Sequence, residues 1–241
     1  MKKNILDNIK TIFYALIIAI IIRTFLFQPF YIPSSSMEPS LQIGDRLFVT
    51  KYSYGYSRHS FPFSPTSFNK RFFEKKPKRG DVVVFKTPAD NRTDYIKRLI
   101  GLPGDTIQFV NGDIFLNNNK IKRKQIETNL IINCGNEILD VNIYEEKVGE
   151  TTYIAAYRKN GTLINTDKFI VPSKHYFFMG DNRDCSKDSR FLSSVGYVNF
   201  NNFVGKAKII FFSNDIKKGN FIEFWKWNVS LRFARFFKRI K

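Results

Sequence analysis

Every residue from Ile12 to Ile22 is apolar or aromatic, and after Arg23 and Thr24 the run resumes with Phe25, Leu26 and Phe27. Taken as a helix, Thr11 to Phe30 would be about 30 Å long, the hydrocarbon thickness of a bilayer. A cleavable targeting segment has a shorter apolar core followed by small residues, whereas here Gln28, Pro29, Phe30 and Tyr31 follow. The pattern predicts a retained transmembrane anchor over residues 11–30, with Arg23 near one end, where its guanidinium can reach the interface. Lys2, Lys3 and Lys10 against Asp7 make residues 1–10 basic. Such a flank stays cytoplasmic, which places everything after Phe27 outside.

Downstream, apolar positions come in short runs split by Gly, Pro, Asn and Asp: 46–50, 81–86, 105–110, 113–116, 152–157, 175–179 and 204–212. This is a strand-and-turn pattern. Phe109 and Ile114 flank a turn centred on Asn111 and Gly112, which predicts a hairpin. The fold class expected for residues 31–241 is therefore mainly β, an antiparallel β-sheet domain with sheets folded on one another. Residues 52–78, rich in Phe, Ser, Pro and Lys, read as a long surface loop able to touch lipid. The polar, Asn- and Lys-rich stretch 117–173 reads as an inserted smaller subdomain, β-rich and without catalytic residues.

The net charge of +18 fits either nucleic acid or phospholipid headgroups. The 26 Phe and 11 Tyr that accompany it favour the membrane, where ring bodies are buried and cations meet phosphate. In the tail, 225–241, the residues Trp225, Val229, Phe233, Phe236, Phe237 and Ile240 recur at helical spacing among Arg232, Arg235, Lys238, Arg239 and Lys241. Alternation through Trp227, Val229, Leu231 and Phe233 fits a strand equally. The expectation is a mixed outcome: the part before Leu231 docked on the β-domain, the part from Arg232 onward lying on anionic phospholipid, and no nucleic-acid partner. Cys134 and Cys185 form no metal-binding pattern, so no metal is expected. An exported location permits a bridge between them, but their spacing leaves it open.

Candidate chemistry sits in four blocks, 33–41, 79–85, 95–105 and 180–190. A serine hydroxyl needs a base, and the chain offers only His59 and His175 for a histidine triad, neither in a catalytic-looking context. A lysine can serve instead if desolvation keeps it neutral. Lys97 has apolar and aromatic neighbours on a strand whose alternation puts Tyr95, Lys97 and Leu99 on one face.

In this order, behind an amino-terminal anchor, the blocks Pro33–Leu41, Arg79–Phe85, Tyr95–Asp105 and Gly180–Arg190 resemble those of bacterial type I signal peptidases. The resemblance spans Gln28 to Phe211 in outline and departs at Ser35, where the family usually has Gly. It implies Ser36 as nucleophile and Lys97 as its general base, with the Ser36 amide and the Ser34 hydroxyl facing the oxyanion. It also implies a Ser186 hydroxyl against the lysine amine, and Asp188 with Arg190 holding that loop. Phe30, Ile32, Met37, Leu41, Tyr95 and Ile96 are implied as the lining of shallow pockets beside an extended-peptide groove. The implied function is a membrane-bound endopeptidase that removes signal peptides from exported preproteins by cleaving after small residues, at the outer face of a bacterial inner membrane, with no cofactor. Two other readings compete. A self-cleaving repressor-type Ser/Lys peptidase would need a DNA-reading module where this chain has an apolar span, and a non-enzymatic membrane-tethered binding protein would leave the four blocks unexplained.

Overall fold

The computed structural model describes residues 2–62, 64–65, 70–159 and 165–241; the remainder of the expected loop, of the inserted segment and Met1 lie outside the described residues. Helix α1 (Lys2–Ile21) continues through a wider π-type turn, Ile22–Leu26. Together they supply an apolar stretch, Asp7–Leu26, with mean hydropathy 2.1 and almost no burial against the protein. The helix ends at Leu26 rather than at Phe30. Residues Phe27–Tyr31 instead form strand β1, whose backbone pairs antiparallel with β2 (Asp45–Thr50). Pro29 has no amide proton to continue a helical ladder.

The main sheet adds β3 (Val82–Lys86), β4 (Asp94–Gly101), β12 (His175–Met179), β13 (Val198–Asn199) and β14 (Phe203–Ser213). Its order is β1-β2-β14-β3-β4-β12-β13, with antiparallel pairing throughout. Both faces are covered, and the alternation in β3 shows how. Val82 and Val84 join a core of Ile32, Met37, Leu41, Leu47 and Val204, while Val83 and Phe85 join Tyr54, Leu99, Phe178 and Phe203 on the other side.

A second sheet has the order β11-β5-β6-β7, from β5 (Thr106–Val110), β6 (Asp113–Leu116), β7 (Asn119–Lys120) and β11 (Phe169–Ile170). The hairpin expected at Asn111 and Gly112 forms there, with Phe109 opposite Ile114 and positive φ at both turn residues. The third sheet, β8 (Arg123–Cys134), β9 (Glu137–Val148) and β10 (Thr151–Arg158), is a meander. Its first two strands escape the sequence pattern because Ile126, Ile131 and Ile138 are exposed and polar residues occupy both faces. Cys134, at the end of β8, is bonded to Cys185, with Cα atoms 5.6 Å apart.

Two expectations are corrected. The stretch 52–78 is not merely a surface loop. Tyr54, Ser57, His59, Ser60 and Arg71 are buried, and the Arg71 guanidinium donates to the carbonyls of Gly55, Phe200 and Phe203 at 2.7 to 2.8 Å. The tail from Arg232 is not an interfacial helix, although Phe233 and Phe237 stay exposed. Its short helix α2 (Trp227–Ser230) stops before it, and β15 (Lys238–Arg239) pairs with β14. Arg235 forks onto the buried carboxylate of Asp45, and Ile240 packs on the core, so specific partners on the domain outweigh the amphipathic period.

Candidate active site

The tight turn Ser35–Met37 follows β1 and is buried. Two of its carbonyls are taken up by one residue: the Asn182 backbone N–H donates to Ser36 O, and its side-chain Nδ2 donates to Ser35 O, both at 3.2 Å. On the other side stands β4, held between β3 and β12 with Val83 opposite Lys97 and Met179 opposite Arg98. Lys97 therefore emerges from the middle of a covered sheet, 4% exposed.

Lys97 Nζ donates to Ser36 Oγ at 2.6 Å, and its amine lies 5.4 Å from the centre of the Tyr95 ring. Among the described residues no carboxylate lies within ion-pair distance of Lys97. Burial is the main influence on it and lowers its pKa to about 8; Asp188 and Asp181 oppose the shift, and Arg190 adds to it. A neutral amine is thus accessible near physiological pH, and a hydroxyl proton lies within its reach. Ser34 Oγ is 3.4 Å from Ser36 Oγ, close enough to share its surroundings.

Behind this pair the last block forms a buried polar frame. Asp181 receives two hydrogen bonds from Arg98, at 2.7 and 2.6 Å, and both side chains are fully enclosed. Asp188 accepts from the Gly180 amide at 2.9 Å and from Arg190 at 2.7 and 2.8 Å. Burial works to raise the Asp188 carboxyl, but Arg190 and the hydrogen bonds outweigh it and hold the group below the usual carboxylate range. Arg190 also donates to the Arg183 carbonyl at 2.5 Å, closing the loop on itself. Ser186 is buried, yet its Oγ makes no hydrogen bond to Lys97 as expected from the resemblance. It lies near enough to Asp188 to favour that carboxylate, though without the geometry of a full hydrogen bond. The lysine amine is turned instead to Ser36.

A cleft of about 560 Å³ opens over the pair. Of the lining residues expected, Phe30, Ile32, Tyr95 and Ile96 border it. Met37 and Leu41 do not. They are fully buried in the core beneath, because the turn that exposes Ser36 to the cleft sends its apolar neighbours inward. Tyr31, Val84, Thr93, Asp94 and Lys187 line it as well, and sequence reasoning passed them over. Arg98, Gly180 and Asp181 lie inside the motif blocks, but only the fold reveals their pairing. Both histidines lie apart from this chemistry: His59 is hydrogen-bonded to Arg58 and Ser64, and His175 opens β12. No group of His, Cys, Asp and Glu that could hold a metal occurs among the described residues.

A serine hydroxyl facing an uncharged-prone lysine, in a cleft on an antiparallel sheet behind an apolar helix, defines the class as membrane-anchored serine peptidases that work without histidine. Sequence comparison narrows the class. A sequence model of the family "Signal peptidase, peptidase S26" matches residues 5–212, and the chain belongs to that family. Signal peptidase I of Rickettsia typhi is 38% identical over 258 residues, 99% of this chain and 95% of its own. That of Rickettsia canadensis is 40% identical over the same shares. The crystal structure of a signal peptidase I from Enterococcus faecalis aligns with 55% of this chain and 97% of its own at 25% identity, with a TM-score of 0.33.

Proposed function

We propose that Ser36 and Lys97 are the nucleophile and general base with which this enzyme removes signal peptides from exported preproteins. The observation that carries the reading is the 2.6 Å contact between a buried hydroxyl and a buried amine that no carboxylate pairs among the described residues. Lys97 takes the Ser36 proton as Oγ attacks the scissile carbonyl, and gives it to the departing amine as the acyl-enzyme forms. A water activated by the same amine then releases the signal peptide. The Ser36 amide and the Ser34 hydroxyl serve the oxyanion. Gly180, Ser186, Asp188 and Arg190 position the turn and the lysine.

The substrate enters extended between β1 and the start of β4, where Phe30, Ile32, Tyr95 and Ile96 leave room for small side chains. The anchor lies within the apolar stretch Asp7–Leu26 and crosses the inner membrane once, with the basic flank that holds Lys2, Lys3 and Lys10 on the cytoplasmic side and the β-domain outside. Ser36 follows it closely, so the site stays near the bilayer surface, where cleavage sites emerge. Within the stretch 117–173, the meander β8–β10 is the inserted subdomain, to which no catalytic role falls. In the tail 225–241 the exposed rings of Trp225, Phe233 and Phe237 touch lipid, while its backbone stays docked.

The deciding experiment is cleavage of a purified preprotein by wild type, Ser36→Ala and Lys97→Ala. Both variants are expected to be inactive, and near wild-type turnover by either would overturn the assignment. Ser34→Ala should lower kcat about a hundredfold or more with KM nearly unchanged, the signature of a lost oxyanion donor.

A further inference from the structure

Phe30 and Asp94 line not only the cleft over Ser36 but also a second cavity of about 310 Å³ on the anchor side. Lys51 lines it, 2% exposed, donating to the Ser60 carbonyl at 2.6 Å. Arg23 and Arg92, both exposed, and Lys86 also border it. The one acid there, Asp94, is paired with Lys86 at 2.9 Å, and no carboxylate is within ion-pair distance of Lys51, Arg23 or Arg92 among the described residues. Burial lowers Lys51 to about 8, and the charge of Arg23 pushes the same way. His59, on the wall, is held near 4, first by burial and then by Arg58, Lys86 and Arg71, and so adds no charge at neutral pH. Such an excess of cations around one cavity favours an anion.

A third cavity, of about 440 Å³, shares Arg23 and Gln28 with the basic one. Its other walls are Ala19, Ile22, Phe27, Pro29 and Phe48, all apolar. It runs between the helix and the β1–β2 ribbon. Arg23 stands in the last turn of the apolar stretch Asp7–Leu26, at the depth where headgroups lie if that stretch is the anchor. The end of the stretch is fixed to the domain: Lys51 N donates to Leu26 O at 3.1 Å, and the Tyr56 hydroxyl donates to Phe25 O at 2.9 Å.

We propose that these two adjoining cavities form a phospholipid site, with the headgroup phosphate held by Arg23, Lys51 and Arg92 and an acyl chain lying along Ile22, Phe27 and Phe48. A free phosphate would use only the basic half and an uncharged lipid only the apolar half. A bound phospholipid fills both, and it fixes the membrane end of the catalytic cleft at the headgroup plane. The site rests on the anchor reading but not on the roles given to Ser36 and Lys97.

Full-length enzyme, delipidated in detergent micelles, is titrated with dioleoylphosphatidylglycerol, dioleoylglycerol or inorganic phosphate, and retained lipid is counted by native mass spectrometry. Wild type should retain one phosphatidylglycerol. The double variant Arg23→Gln/Arg92→Gln should bind it about tenfold or more weakly, as expected for lost charge-assisted hydrogen bonds. Ala19→Phe, which fills the apolar half from an exposed helix position, should weaken retention with the cations intact. Dioleoylglycerol should be retained poorly, and inorganic phosphate should not displace the lipid at equal concentration. Wild-type retention by the charge variant, equal retention of dioleoylglycerol, or displacement by phosphate alone would overturn the proposal. Both variants should remain in the membrane fraction of cells, which separates loss of lipid binding from loss of anchoring.

Discussion

The guanidinium of Arg98 grips the carboxylate of Asp181 through two hydrogen bonds, 83 residues apart in the chain and wholly out of water. Arg98 also donates to the Gly80 and Lys241 carbonyls, each at 2.8 Å, and stacks 4.1 Å over the Tyr153 ring. One residue away on each partner stand Lys97 and Gly180. The pair therefore ties the strand that carries the base to the block that backs the nucleophile. Asp181→Ala leaves a buried guanidinium without its anion, which typically costs about 3 to 5 kcal/mol. The expected outcome in chemical denaturation is a loss of that order, with activity falling with it.

The pH dependence follows from Lys97. With burial lowering its pKa to about 8, the neutral form grows as pH rises through 8. The expected kcat/KM profile therefore climbs with an apparent pKa near 8 and flattens above it. The stability effect has a definite sign. A lysine whose folded pKa lies below its unfolded 10.5 is disfavoured by folding while it is charged, and the penalty fades as pH rises from about 8 to 10.5. Lys97→Met should accordingly be inactive yet more stable than wild type at pH 7, by about 1 kcal/mol or more. Its advantage should shrink toward pH 10 in thermal melts.

Gly180 is required for space. A Cβ there would run into the Ser186 side chain and the Ser36 carbonyl oxygen, so Gly180→Ala must displace the nucleophile turn, the Ser186 loop or both. A displacement of about 1 Å at a catalytic group can cost a hundredfold in rate. The expected result is a kcat at least that much lower, with far-UV circular dichroism unchanged.

The Cys134–Cys185 bridge ties the end of the β8–β9 hairpin to the residue before Ser186, and Ser35 Oγ lies 3.3 Å from Cys185 Sγ. Removing a disulfide of this kind typically costs about 2 to 5 kcal/mol. Cys134→Ser/Cys185→Ser, or treatment with reductant, should lower the melting temperature of the enzyme and reduce its cleavage rate. The double variant should be insensitive to reductant in the same assay.

What the sequence determined by itself was the local and the periodic. The apolar run over Ile12–Ile22, the alternating strands and the Asn111–Gly112 turn are set by side-chain pattern and backbone preference within a few residues, and they recur in the fold. The family resemblance carried by the four blocks singled out Ser36 and Lys97 as candidates before any distance was known. Tertiary structure alone decided matters that depend on what lies across from a residue. Burial lowers the Lys97 pKa because the fold packs its amine against Ser36 and the Tyr95 ring, away from water, and Met37 and Leu41 turn inward because the Ser35–Met37 turn presents the serine outward. The tail shows the limit most clearly. Its spacing fits both a lipid-facing helix and a strand, and the choice fell to the unpaired backbone of β14 and the carboxylate of Asp45, partners that no local pattern in residues 232–241 encodes.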